Sequence, residues 1–177
     1  MKDNLSNIQT QFLVMAAQGG NTEALEKLFY IWQKKLWQYV FRLTADVHAS
    51  WDITQQSWLE IIKGLKKLHN PASFKAWIYR IATNRVNNWL KNKKKNQHLS
   101  LESIEVGCNQ EDEDLWVKEL IQRLKSDSKM ILNLYYFEQL NISEISIALN
   151  IPQGTVKSRM FRAREELKQL WEKYFTD

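Results

Sequence analysis

Lys157, Ser158, Phe161 and Arg162 fall within two turns of a periodic stretch, and at 3.6 residues per turn they share one side of a helix. Arg and Lys donate to guanine O6 and N7, Ser reaches bases or phosphates, and Phe presses on thymine methyls. Arg159 and Arg164 flank that side and suit phosphates, which position a helix on DNA without reading it. Val156, Met160, Ala163 and Leu167 recur at steps of four, three and four, the pattern of a buried stripe facing the other way. A solvated Arg-rich face is the plainer reading of the same residues. Phe161 argues against it, because an outward aromatic among cations suits a surface that has a partner.

No other chemistry is spelled out. His48, His69 and His98 are scattered, with no Cys or paired acids at metal-ligand spacing. Cys108 has no basic helper nearby to activate its thiol. Glu111 to Asp114 are four consecutive acids without the shaping Gly of a calcium loop. Neither a Gly-rich phosphate loop nor a nucleophile elbow occurs. The expectation is a protein without catalytic residues, metal or cofactor.

The elements that must carry the cationic helix are legible from periodicity. With 5 Gly and 2 Pro in 177 residues and no strand alternation, the chain reads as all-α. Hydrophobic content of 44% suffices for a core. A short apolar helix spans about Ile8 to Gln18, and Gly19-Gly20 break it. Asn21 caps a long helix to about Thr44. The next runs from Ser50 to Leu68, with Trp51, Trp58, Ile61, Ile62, Leu65 and Leu68 on its stripe, and Asn70-Pro71 ends it. A third long helix extends from Ser73 to about Lys91, with Phe74, Ile78, Ile81, Ala82, Arg85 and Trp89 on one face.

Periodicity lapses and resumes at Leu115, where Leu120, Ile121, Leu124, Ile131, Leu134 and Tyr135 build a helix pair. Asn141-Ile142-Ser143-Glu144 predicts a capping box. Ser143 to Leu149, the Asn150-Ile151-Pro152 break and a last helix from Gln153 to about Tyr174 outline a helix-turn-helix.

Charge divides along the same lines. Residues 1–95 carry 15 Lys and Arg against 6 acids, residues 96–114 carry 6 acids and no cations, and residues 115–177 carry 10 cations against 8 acids. Two basic modules that meet a polyanion, joined by a flexible acidic linker, are expected. The longest uncharged apolar stretches fall short of the ~20 residues that span a bilayer. Without a signal peptide at Met1-Lys2-Asp3-Asn4, a cytoplasmic protein is expected, with no membrane insertion.

Gly154 to Leu167 resembles the recognition-helix signature of the extracytoplasmic-function sigma factors of bacterial RNA polymerase. Ile145 to Pro152 is similar to that family's "IAxxLxIP" stretch, with Ser146 in place of the usual alanine. The resemblance implies that Thr155, Lys157, Ser158, Arg159, Phe161, Arg162 and Arg164 meet the minus-thirty-five promoter element. Phe74 to Arg85 is similar to the family's "FxxWLyrIArN" helix, and Lys91 to Lys95 supply its terminal basic run. Holding a melted strand needs aromatic or apolar pockets beside a cationic track. His69, Asn70, Lys75, Trp77, Arg80, Asn84, Arg85, Lys93 and Lys94 are the candidates for minus-ten capture. Trp77 at helical spacing stands either in the core or as a stacking platform.

Ser50 to Leu59 resembles the family's surface for the clamp helices of the polymerase's largest subunit, close to "AEDLxQExFL". Asp52, Gln55, Gln56 and Leu59 are the implied contacts, with Trp51 and Gln56 standing where acids are usual. The implied architecture is two small helical domains. They are an N-terminal bundle over 1–95 and a four-helix, helix-turn-helix domain over 115–177, with the connector at 96–114 threading the enzyme. Promoter DNA, core polymerase and an anti-sigma factor are the implied partners, and the free protein is expected to be a monomer. A stand-alone helix-turn-helix regulator and a sigma-like decoy for an anti-sigma protein remain alternatives.

Overall fold

The computed structural model describes residues 2–96 and 120–175, and no strand occurs among them. Most of the expected linker, with His98, Cys108 and Glu111 to Asp114, lies outside the described residues.

The N-terminal half is built from α1 (Lys2–Gln18), α2 (Thr22–Thr44), α3 (Val47–Gly64) and α4 (Phe74–Asn96). Asn21 Oδ1 accepts from the Ala24 amide at 3.0 Å, so the residue expected to cap α2 does so. Ala45 then takes the left-handed conformation at φ 53°, and Asp46 Oδ1 caps α3 through the Ala49 amide at 2.9 Å. Two 3₁₀ turns, Leu65–Lys67 and Pro71–Ser73, lead into α4. Gln18 Nε2 donates to the Leu65 and Leu68 carbonyls at 2.9 and 2.7 Å, tying the end of α1 to that connection. α1 is thus longer than its apolar part, and α3 starts earlier and stops earlier than its periodicity predicts.

The buried side of α3 also differs from the expected stripe. Trp58, Ile61 and Leu65 are buried, but Trp51 is 43% exposed and Ile62 47% exposed. Ser50, Thr54 and Ser57 occupy the interior positions instead. The two serine hydroxyls find partners there, since Ser57 Oγ donates to the Ile53 carbonyl at 2.7 Å and Ser50 pairs with Thr44 at 2.8 Å, while the buried Thr54 hydroxyl has none. These small side chains let α3 lie close to α2.

In the C-terminal half residues 120–123 are helical, followed by α5 (Ser126–Leu132), a π turn (Asn133–Phe137), α6 (Ile142–Leu149) and α7 (Gln153–Phe175). The capping box is present, with Asn141 Oδ1 accepting from the Glu144 amide at 3.0 Å and Glu144 Oε2 from the Asn141 amide at 2.8 Å. Asn150, left-handed at φ 54°, ends α6, and Pro152 precedes α7.

The two halves share one continuous core. Leu36, Tyr39, Ile61 and Ile78 on one side and Ile131, Leu134, Ile145 and Val156 on the other belong to a single buried cluster. α2, α3 and α6 all pack on α4, and α2 also touches α5. As a result α4 buries Ala76, Tyr79, Thr83 and Val86 in addition to the expected Phe74, Ile78, Ile81 and Ala82. The expected pair of small helical domains is there. They lie against each other.

Candidate functional site

On α7 the two sides separate as the spacing predicts. Val156, Met160 and Ala163 are 0%, 4% and 0% exposed, and Leu167 packs on the same core. Lys157, Ser158, Phe161 and Arg162 are exposed, Phe161 at 67%. Ser158 Oγ turns back to the Thr155 carbonyl at 3.0 Å, and Thr155 itself is half-buried. The flanking arginines are engaged. Arg159 lies 3.5 Å from Asp127, and the Arg164 guanidinium sits 5.3 and 5.8 Å from the Tyr135 and Tyr136 rings. An exposed Phe between a Lys and an Arg, on a helix anchored from behind, can enter a major groove side-on.

The candidates on and before α4 are not gathered on one side. His69 and Asn70 are exposed in the loop before it, where Asn70 Oδ1 accepts from the Ala72 amide at 3.0 Å. Trp77, Arg80 and Asn84 follow at steps of three and four and share the open side of the helix. Trp77 is half-buried, its ring 6.2 Å from that of Phe74 and tight against Gly64, where a Cβ would come within 2.9 Å of it. Its indole is a wall of the bundle with one edge showing. Lys75 and Lys93 are eighteen residues apart, five full turns, and so occupy one side, roughly 160° away from Trp77 by the helical repeat. Both are half-buried, while Lys94 is exposed. Lys93 Nζ lies 4.8 Å from the Trp89 ring.

Arg85 joins two candidate surfaces. Its guanidinium donates to Glu60 Oε2 at 2.8 and 3.2 Å and to Gln56 Oε1 at 2.8 Å, so the α4 cation is held by α3. On α3 itself Asp52, Gln55, Gln56 and Leu59 are all exposed, Leu59 at 59%. Trp51 extends this surface, its ring 5.4 Å from Trp37, which stacks on Phe41 at 5.1 Å. The outward face of α3 is therefore an aromatic and aliphatic ridge edged by acids, a composition suited to a protein partner.

Sequence reasoning missed the groups where the halves meet. Glu138, after the π turn, is 8% exposed and is held by Arg42 of α2 and by the Tyr79 hydroxyl of α4. Burial pushes the Glu138 carboxyl above its ordinary range, against the opposing pull of the Tyr79 hydrogen bond and the Arg42 charge. Burial likewise holds the Tyr79 phenol well above its usual value and lowers the Lys129 ammonium. Arg42 and Glu138 lie 96 positions apart, so no local signal could pair them.

Among the described residues no three of His, Cys, Asp and Glu gather as a metal site, and no helix is long and apolar enough to cross a membrane.

Residues 28–96 match Sigma-70 region 2, and residues 114–167 match Sigma-70, region 4. The RNA polymerase sigma-H factor of Pseudomonas aeruginosa is 28% identical, over 92% of this chain and 94% of its own length. The ECF RNA polymerase sigma factor SigW of Bacillus subtilis is 27% identical, over 85% of this chain and 90% of its own. Among solved structures, the sigma factor RpoE in complex with the anti-sigma factor NepR from Bartonella quintana superposes with a TM-score of 0.70 at 17% identity, covering 84% of this chain and 96% of that one. CnrH in complex with the cytosolic domain of CnrY superposes with a TM-score of 0.72 at 18% identity, covering 94% and 99%.

Proposed function

This chain belongs to the sigma-70 family, as an RNA polymerase sigma factor of the extracytoplasmic-function type, and we propose that it assigns its two modules to separate promoter elements. α7 reads the minus-thirty-five element in the major groove, with Lys157, Ser158, Phe161 and Arg162 toward base edges and with Arg159 and Arg164 toward phosphates. The loop at His69 and Asn70 and the open side of α4 at Trp77, Arg80 and Asn84 capture the melted minus-ten strand. Lys75, Arg85, Lys93 and Lys94 add cations along it. The ridge of α3 at Asp52, Gln55, Gln56 and Leu59 takes the polymerase clamp helices. The acidic connector of residues 96–114 passes through the enzyme.

The observation that carries this reading is the exposed Lys157-Ser158-Phe161-Arg162 side, backed by the buried Val156, Met160 and Ala163, in one chain with a region 2 module. The match over 28–96 speaks against a stand-alone regulator, which has no use for that module. The protein works by binding and release, without catalysis or cofactor, as a monomer in the cytoplasm with an anti-sigma factor as its restraint. The sigma factor RpoE, of similar fold and in complex with the anti-sigma factor NepR, supports that last partner.

Run-off transcription with purified core polymerase tests the proposal. Initiation should appear only when the protein is added and should fall steeply with salt. Folded protein in excess that starts no transcript at any genomic promoter would refute it. Binding to an anti-sigma protein without affinity for core polymerase would mark the chain as a decoy.

A further inference from the structure

Two clefts open where α4 meets the C-terminal half, and charge sets them apart. The larger, of about 560 Å³, takes in Lys35, Arg42 and Lys75, but Glu138 and Glu144 line it too and offset them. The smaller, of about 250 Å³, is formed by the ends of α2 and α4 and by α5. Lys93, Lys94 and Lys129 line it, and no acid does among the described residues.

Three ammonium groups around one cavity repel one another, so their positions need partners. Neutral groups supply them for Lys129 and Lys93. Lys129 Nζ donates to Gln122 Oε1 at 3.0 Å, and Gln122 Nε2 donates in turn to the Arg42 carbonyl at 2.7 Å. Lys93 Nζ lies over Trp89, 4.8 Å from the ring centre. Both contacts fix a position without cancelling the charge. Lys129 is half-buried, and burial pulls its pKa down with no described carboxylate to offset it. An ammonium carries three donors, and the bond to Gln122 uses one of them.

A cleft of one sign with apolar walls concentrates its field and collects counter-ions. Trp89 and Met130 supply such walls, and Ser126 adds a hydroxyl to the lining. Compact ammonium donors suit phosphoryl oxygens. The volume falls below the ~300–1,000 Å³ of sites for drug-sized ligands, which favours a small anion over a whole nucleotide. Several cations in so little space call for an anion that is itself multiply charged.

We propose that the Lys93–Lys94–Lys129 cleft is a binding site for a small phosphate anion of the pyrophosphate class, held by the three ammonium groups with Ser126 as a further donor. The site goes beyond the promoter contacts, since Lys129 has no part in them.

Isothermal titration calorimetry of the full-length protein with inorganic pyrophosphate, at fixed ionic strength, tests the site. One anion should bind per chain and raise Tm, because it binds the folded chain alone. Lys129→Met keeps the apolar stem, removes the charge, and should weaken binding about 10- to 100-fold. Lys93→Gln combined with Lys94→Gln should do likewise, and serves alone if circular dichroism shows that Lys129→Met does not fold. Lys34→Gln, at an exposed lysine of α2 outside the cleft, should change nothing. Heats that never saturate, or a loss as large in Lys34→Gln as in Lys129→Met, mean diffuse attraction and overturn the proposal. Wild-type affinity in the cleft variants overturns it as well. A single-stranded oligonucleotide forms the second arm. If Lys129→Met weakens its binding as much as that of pyrophosphate, the phosphates belong to nucleic acid and the small-anion assignment falls.

Discussion

Replacing Lys157 and Arg162 together with alanine removes two cations from the open side of α7 and touches nothing behind it. Both are exposed and neither has an ion-pair partner among the described residues, so folding stability should move by less than about 0.5 kcal/mol. Binding should not be spared. If both side chains read base edges, each is worth about 1–3 kcal/mol of discrimination, and together they represent roughly 30-fold to 10⁴-fold in preference for the minus-thirty-five duplex. If both meet phosphates instead, the loss is equal on all sequences and the log–log salt slope drops by about 1.8. Fluorescence anisotropy of holoenzyme on specific and scrambled duplexes, from low to high salt, separates the two outcomes. Asp127→Ala is the internal control. It frees Arg159 from a pair with 41% and 72% side-chain exposure, costs at most about 1 kcal/mol of stability, and should strengthen binding up to about fivefold. A double variant that melts like wild type and keeps its preference and salt slope would refute the assignment of this face.

Gly64→Ala places a methyl 2.9 Å from the Trp77 ring, so the indole must shift, and urea unfolding should show a loss on the order of 1–3 kcal/mol that Trp77→Phe partly restores. Asn141→Ala deletes the cap of α6, and calorimetry should record about 1 kcal/mol lost, a fall in Tm of about 2–4 °C. Burial holds the Tyr39 and Tyr79 phenols above their ordinary value near 10. Their stability contribution is complete below pH 10 and is lost as pH rises beyond it, so alkaline melts should weaken from about pH 10. Tyr39→Phe should flatten that loss while costing about 1 kcal/mol at neutral pH, through the 2.7 Å bond to Thr83.

What was legible in the sequence was local. Asn21 and the Asn141–Glu144 box declare themselves because a cap and its amides are three residues apart. The two sides of α7 follow from one repeat. α3 was turned, because hydropathy counts Ser50 and Ser57 as outward and Trp51 as inward. Hydroxyls bonded within and between helices reverse both. α4 shows a single stripe in sequence, yet α1, α2, α3 and α6 all touch it, and nothing in its own residues announces that α6 lies against it. Residue types alone group the expected strand track as one set, and the helical repeat divides it between an open side and a junction side. Glu138 looked like any acid after a run of aromatics. Its partners are supplied by distant helices, and periodicity reports faces without saying what meets them.

Arg85 cannot serve two masters. Three of its five donors already go to Gln56 and Glu60 on the neighbouring helix. A phosphate that claims it must first prise it from α3, and a protein that engages Gln56 or Glu60 hands it over. Under the roles proposed for α3 and α4, loading onto the transcription machine and grasping the opened strand would be linked through one side chain, each event lowering the threshold for the other.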